Sequence, residues 1–125
     1  MTPPEPVLLV EDNDDIRAAL ARLLDLRGYT VVEASDGQEA LEYFREGGRA
    51  SLIILDLFMP RLDGRTFRAI QMQHAELAHI PVIVFSVAEG ETLPDVVGFV
   101  RKSATPDSLL SLVDRAAGGP VLIDQ

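Results

Sequence analysis

Three apolar stretches of this chain each run directly into side chains that can carry chemistry. They are residues 7–10 before Glu11 and Asp12, residues 52–55 before Asp56, and residues 81–85 before Ser86. Apolar runs of this length predict strands that are buried on both faces. Because side chains at the carboxyl ends of parallel strands open onto one crevice, the pattern predicts a single shared site. A lone Asp at a strand end could instead cap a loop.

The residue types in this crevice favour phosphoryl chemistry. Carboxylates crowded at neighbouring strand ends repel one another unless a cation lies between them. Oxygen ligands suit a small hard cation, of which Mg²⁺ is the usual one, although acidic loops are also often merely solvated. Lys102, which follows a further predicted strand, adds an ammonium group. An ammonium, a hydroxyl and a metal ion around one carboxylate would form a phosphoryl pocket, with Asp56 as the nucleophile.

Alternating strand and helix signals predict the scaffold that positions these groups. The predicted strands cover residues 7–10, 29–34, 52–55, 81–85 and 96–100. The predicted helix starts are Asn13 or Asp14, Asp36-Gly37, Asp63-Gly64 and Thr105-Pro106. Glycines at 28, 47–48 and 118–119 mark helix ends. This pattern predicts an α/β fold with a doubly wound, five-stranded parallel sheet and helices on both faces.

Composition sets limits on the class of protein. The chain has 125 residues, 47% of them hydrophobic, which suits one globular domain over residues 6–117 with flexible tails at 1–5 and 118–125. A formal charge of −9 argues against direct binding to nucleic acid. There is no cysteine, so disulfide and thiol chemistry are excluded. No stretch predicts a signal peptide or a membrane span, and we expect a cytoplasmic location without a membrane partner.

The chain resembles the receiver domain of two-component response regulators over residues 6–117. The resemblance is carried by the segment 7–13 ending in Glu-Asp-Asn, by Asp56 and the following Leu-Phe-Met-Pro, by Asp63-Gly64, by Ser86 and by Lys102. It implies a flavodoxin-like sheet of strand order 2-1-3-4-5 with Asp56 as the phosphoacceptor. It also implies Mg²⁺ ligated by Asp12, Asp56 and the backbone carbonyl of Phe58, with Glu11 acting through water.

The resemblance also implies the partners. A histidine kinase or a phosphotransfer protein would supply the phosphoryl group, and a downstream protein would read the change. A second copy of the chain is a further candidate partner. We do not expect an enzyme, because a hydrolase of the haloacid dehalogenase type would need an acid where Phe58 stands. A pseudo-receiver that binds proteins without phosphorylation is the alternative function.

Several residues depart from the family pattern around the pocket. Ser103 follows Lys102 where the family usually has a proline, commonly after a cis bond, so the Lys102–Ser103 bond could be cis or trans. Val87 stands where the family prefers a small residue, and Phe99, near the aromatic switch position, has no hydroxyl group.

The largest departure is a short connection between the fourth and fifth strands. Only sixteen positions separate Ser86 from Lys102. Residues 87–95 contain Gly90 and Pro94, and both oppose a helix interior. The helix that the family has between its fourth and fifth strands, helix 4 of the family, is therefore predicted to be shortened or missing. Residues 87–95 are predicted to form an exposed, mobile loop instead.

Five further polar residues have simpler interpretations. His74 and His79 could be a phosphohistidine or metal ligands, but surface histidines are the more common case. Arg61, Arg65 and Arg68 could form a partner-binding stripe, but a solvated helix face is the usual meaning of this spacing.

Overall fold

A computed structural model of the chain describes residues 5–87, 93 and 95–117. It contains one sheet of five parallel strands in the order β2-β1-β3-β4-β5, which confirms the predicted fold class. The strands are β1 (Val7–Val10), β2 (Val31–Ala34), β3 (Leu52–Leu55), β4 (Val82–Ser86) and β5 (Gly98–Arg101). The helices are α1 (Asp14–Leu26), α2 (Gly37–Arg45), α3 (Gly64–Met72), α4 (Ala75–Ala78) and α5 (Pro106–Ala116).

The three central strands β1, β3 and β4 are buried along their whole length. Helices pack on both faces of the sheet and give two apolar clusters, one beneath α2 and α3 and the other beneath α1 and α5. Continuous apolar strands require this double cover, because neither face can contact water without a loss of stability. The sheet therefore holds the carboxyl ends of β1, β3 and β4 side by side at one edge.

The two edge strands differ from their predicted bounds. β2 begins two residues late, because the Tyr29 amide still donates to Leu24 O at the end of α1, after Gly28 with φ of 97°. The Tyr29 hydroxyl turns away to donate to Asp114 on α5 over 2.5 Å. β5 is shifted towards its carboxyl end, to Gly98–Arg101, and Asp95 before it has a left-handed φ of 60°.

Polar side chains at three helix starts act as predicted. Asn13, Asp36 and Asp63 accept hydrogen bonds from amides in the first turns of α1, α2 and α3, each over 2.9 Å. These caps satisfy amides that would otherwise lack partners. Thr105 occupies the start of α5 as predicted, but its side chain makes no capping hydrogen bond.

The connection from β4 to β5 is described only in part. The predicted loop at 87–95 falls mostly on residues 88–92 and 94, which lie outside the described residues, as do residues 1–4 of the predicted tail at 1–5 and the whole predicted tail at 118–125. The prediction of exposure is wrong for Leu93, which is buried in the cluster beneath α2 and α3 because its side chain is apolar. No cis bond occurs in the described chain, so the Lys102–Ser103 bond is trans.

The predicted solvated face of α3 is wrong for Arg68. Its side chain is buried and donates to Gln71 Oε1 over 2.8 Å and to the backbone oxygen of Asp95 over 3.1 Å. Tertiary contacts thus give this arginine partners that helical spacing alone does not reveal. None of the helices in the described ranges is both long enough and apolar enough to cross a membrane.

Candidate functional site

The sheet brings the sequence-predicted groups together at the carboxyl ends of its central strands. Glu11 follows β1, Asp56 follows β3, and Ser86 ends β4; all three are buried. The Asp56 amide donates to Val10 O over 3.1 Å, which locks the two acid-bearing strand ends in register. Asp12 is exposed at the mouth of the same crevice.

Lys102 reaches this crevice from the end of β5. Its Nζ lies 2.9 Å from each carboxylate oxygen of Glu11, with hydrogen-bond geometry to Oε2 only, and it donates to Asp56 Oδ2 over 3.1 Å. Its amide donates to Ser86 O over 2.9 Å, which fixes the start of the loop after β5. The structure thus places one ammonium between two buried carboxylates.

The three acids fit a hard divalent cation. Carboxylate oxygens of Glu11, Asp12 and Asp56 lie within 4.8 Å of one another. Glu11 Oε1 is buried and accepts no hydrogen bond from the described residues. Lys102 Nζ lies 2.9 Å from Oε1 as an ion pair but donates its hydrogen bond to Oε2, so a divalent cation among the three acids would give Oε1 a further partner.

Burial and charge shift the acidity of the central pair. Burial, together with the charge of Glu11, raises the pKa of Asp56 to about 6, although the Phe58 amide and Lys102 act in the opposite direction. Burial disfavours the Lys102 ammonium, but its hydrogen bond and charge contact with Glu11, reinforced by Asp56, outweigh this and raise its pKa. The ammonium is therefore held firmly beside a carboxylate that is destabilised by its surroundings.

The loop that follows Asp56 is folded tightly against it. The Phe58 amide donates to Asp56 Oδ1 over 3.2 Å, and the Gly64 amide donates to Leu57 O over 3.0 Å. A Cβ on Gly64 would lie only 2.3 Å from Asp56 O, so no other residue type fits without movement. Phe58 and Val87, which follow Asp56 and Ser86 by two positions and one position, are 50% and 68% exposed.

Two arginines near the site form ion pairs that were not predicted from the sequence. Arg17 donates to the Glu11 carbonyl over 2.8 Å and pairs with Asp14 and Glu33. Arg61 pairs with Asp36. Spacing gives a signal only for the Arg17–Asp14 pair, three positions apart on one helix. The two histidines lie apart from the acidic cluster, and His74 is 3.8 Å from Glu76.

Comparisons with known proteins agree with this geometry. The family model of the response regulator receiver domain matches residues 7–114. Protein Rrf1 of Nitratidesulfovibrio vulgaris is 33% identical over 115 residues, covering 90% of this chain and 83% of Rrf1. The CAI-1 autoinducer sensor kinase/phosphatase CqsS of Vibrio cholerae is 34% identical over 87% of this chain. The chain therefore belongs to the response regulator receiver domain family.

Solved structures show the same architecture. The receiver domain of the hybrid histidine kinase CckA has a TM-score of 0.73 at 36% identity, covering 90% of this chain and 98% of that one. The chemotaxis protein CheY4 of Vibrio cholerae has a TM-score of 0.76 at 30% identity, covering 91% and 99%. Sequence relatives are often much longer, since the chain spans 16% of CqsS and 8% of the sensor kinase CckA of Brucella abortus.

Proposed function

We propose that this receiver domain accepts a phosphoryl group on Asp56 and signals through changed binding of a partner protein. The observation that carries the proposal is the contact of Lys102 Nζ with both Asp56 and Glu11 at the carboxyl edge of the sheet. A cation fixed at this point can stabilise the negative oxygens of an incoming phosphoryl group.

The proposed step is a direct displacement at phosphorus. An Asp56 carboxylate oxygen forms a bond to phosphorus as the bond from phosphorus to the donor's imidazole nitrogen breaks. The electron pair leaves on that nitrogen, and the imidazole departs neutral because its other nitrogen carries a proton. Lys102 holds the charge of the phosphoryl oxygens, and burial keeps competing water away from Asp56.

Mg²⁺ fits the proposal as the cation of the acidic cluster. Asp12, Asp56 and the backbone carbonyl of Phe58 would hold it, with Glu11 acting through water. When bound, it would offset the charge of the carboxylates and of the phosphoryl group. The support is the clustering of the three acids and the buried Oε1 of Glu11, which accepts no hydrogen bond from the described residues.

A histidine kinase or a phosphotransfer protein is the proposed phosphodonor, and we place the domain in the cytoplasm with such a donor. CqsS and CckA, which match this chain, carry sensor kinase in their names. We propose a phosphoacceptor that is not an enzyme in its own right. A pseudo-receiver has less support, because Lys102, Asp56 and Glu11 meet in the arrangement that phosphoryl transfer needs.

Intact-mass measurement tests the proposal. With acetyl phosphate and Mg²⁺, we expect the mass to rise by one phosphoryl group, and Asp56→Asn should abolish the rise. Asp63→Asn is the matched control, because Asp63 caps α3 and is not among the clustered acids. An equal rise in the Asp56→Asn variant would overturn the assignment.

A further inference from the structure

The loop that follows Asp56 contains a strained turn at Arg61. The Leu62 amide donates to Pro60 O over 2.7 Å, which closes a three-residue γ-turn around Arg61. Arg61 has a φ of 65°, in the left-handed region that glycine or asparagine adopts more easily. A γ-turn with positive φ is rare and strained, so something outside the turn must hold it.

An ion pair with Asp36 supplies that restraint. Arg61 Nε lies 2.6 Å and Nη2 lies 2.5 Å from Asp36 Oδ2. Asp36 is buried, and its other oxygen, Oδ1, caps α2 through the Glu39 amide. The carboxylate therefore has a fixed position, and the flexible guanidinium is drawn to it.

A second contact fastens the same turn to α2. The Gly37 amide donates to Leu62 O over 3.1 Å, and a Cβ on Gly37 would lie 2.7 Å from that oxygen. The first turn of α2 and the loop after Asp56 are thus in direct contact through their backbone atoms. Only Met59 and Pro60 lie between Arg61 and Phe58, so a movement of the turn would be passed on to Phe58.

We propose that the Asp36–Arg61 ion pair is a positioning device for the phosphoacceptor loop, which sets the geometry of Phe58 beside Asp56. This inference rests on the proposed function. The Phe58 amide donates to Asp56, and its carbonyl is the proposed Mg²⁺ ligand. The ion pair with Asp36 explains why arginine occupies position 61, because glycine or asparagine would suit the turn itself better.

Two variants separate the ion pair from the turn. Arg61→Gly removes the guanidinium and relieves the strain of positive φ, while Asp36→Asn removes the charge and keeps an oxygen to cap α2. The first readout is exchange of the Phe58 and Gly64 amides in metal-free, unphosphorylated protein, followed by NMR. The second is the Mg²⁺ dissociation constant, measured by titration calorimetry.

Each variant should accelerate amide exchange and weaken Mg²⁺ binding about fivefold, the size expected for loss of one partly exposed ion pair. The double variant should be no worse than either single variant, because both remove the same interaction. Arg61→Lys should restore part of the effect. Arg45→Gln, which removes an exposed positive charge from α2, is the control and should behave like the wild type.

Single variants that match the Arg45→Gln control, or single effects that multiply in the double variant, would overturn the positioning role. Faster exchange with unchanged Mg²⁺ affinity would also overturn it, because the pair would then only stabilise the fold. Wild-type protein that binds Mg²⁺ but accepts no phosphoryl group would contradict the proposed function alone. Failure of the wild type to bind Mg²⁺ would overturn both.

Discussion

At the scale of single residues, burial and the neighbouring Glu11 destabilise the ionised carboxylate of Asp56. Its carboxylate is buried beside Glu11, and one ammonium, Lys102, serves both acids. Because the pKa of Asp56 is raised to about 6, its ionised form is less favourable in the folded protein than in the unfolded chain. A group that destabilises the fold in this way is typical of a functional site rather than of a structural ion pair.

Because the Asp56 charge destabilises the fold, its removal should raise the free energy of unfolding by an amount that depends on pH. The folded protein holds the Asp56 proton up to about pH 6, whereas the unfolded chain releases it near pH 4, so its contribution to stability falls as pH rises through this window and is then constant. In EDTA at pH 7.5, Asp56→Asn should therefore raise the free energy of unfolding by on the order of 2 kcal/mol. The gain should shrink as the pH falls towards 4, measured by urea denaturation.

Asp63 provides a control of opposite sign. The hydrogen bond from the Thr66 amide lowers the pKa of Asp63, so its ionised form stabilises the fold at neutral pH and this contribution is lost on acidification. Asp63→Asn should therefore give no gain at pH 7.5. If both variants change the free energy of unfolding equally across the pH range, the effect of Asp56→Asn does not arise from the burial of Asp56.

A second residue-scale prediction concerns the lifetime of the acyl phosphate. Phe58 and Val87 closely follow Asp56 and Ser86 in the chain, and we expect their bulk to hinder an in-line water from reaching phosphorus. Replacing both with small polar residues should speed dephosphorylation, followed as the decay of the phosphorylated mass after removal of the donor. An unchanged rate would exclude shielding, and Met59→Leu, a change of similar volume, controls for loop packing.

The chemistry-bearing residues could be predicted from sequence because strand ends are local signals. Glu11, Asp56 and Ser86 each follow an apolar run, and parallel strands bring such ends together. Arg61 and Arg68 could not be placed, because their partners Asp36 and Asp95 lie more than twenty positions away. Such pairs depend on how loops pack in the folded molecule, which no local spacing encodes.

At the scale of elements, a buried polar chain joins α3 to its neighbours. Arg68 links the backbone of Asp95, before β5, to the side chain of Gln71. Gln71 in turn donates to Leu77 O over 2.9 Å and to Ile80 O over 3.1 Å. These bonds bring side-chain donors to carbonyl groups around the short α4 and before β5, among them Leu77 O, which also accepts from the Ile80 amide over 3.0 Å.

Arg68 should therefore matter for stability more than an ordinary helix arginine. Arg68→Ala removes the donors that Arg68 supplies to the oxygens of Asp95 and Gln71 and should lower the free energy of unfolding by about 2–3 kcal/mol in urea. Arg68→Met should cost less, because it refills the space and removes a guanidinium whose Nε is buried without a hydrogen bond among the described contacts.

Arg22→Ala, a change at an exposed position on α1, is the control and should shift stability by less than about 0.5 kcal/mol. A loss for Arg68→Ala no greater than that of the control would show that the polar chain contributes little. A larger loss for methionine than for alanine would contradict the packing argument.

Element types were predictable where apolar periodicity was strong, and element ends were not. In α1 and α5, Leu20, Leu24, Leu109 and Val113 lie at helical spacing and are buried. β2 and β5 follow left-handed backbone conformations at Gly28 and Asp95, and apolar periodicity does not locate where such turns end. α4 was missed because four residues carry too little periodicity to be detected.

At the scale of the whole molecule, metal binding at the acidic site would be coupled to folding. The formal charge of −9 adds general repulsion to the local crowding of Glu11, Asp12 and Asp56. The three acids are brought together only when β1 and β3 pair, so the unfolded chain has no comparable site. A cation that binds the folded state alone must raise the stability of the entire domain.

Mg²⁺ should therefore raise the melting temperature in a saturable way, and Asp12→Ala should weaken this response. At a concentration one hundred times the dissociation constant, the expected gain is about 2.7 kcal/mol. Asp15→Ala, which removes an exposed acid from α1, is the matched control and should leave the response unchanged. NaCl at equal ionic strength separates binding from screening, because it relieves general repulsion without occupying the site. If NaCl stabilises the protein as much as Mg²⁺, or if Asp12→Ala responds like the wild type, Asp12 is not a ligand, and the acids act only through their summed charge.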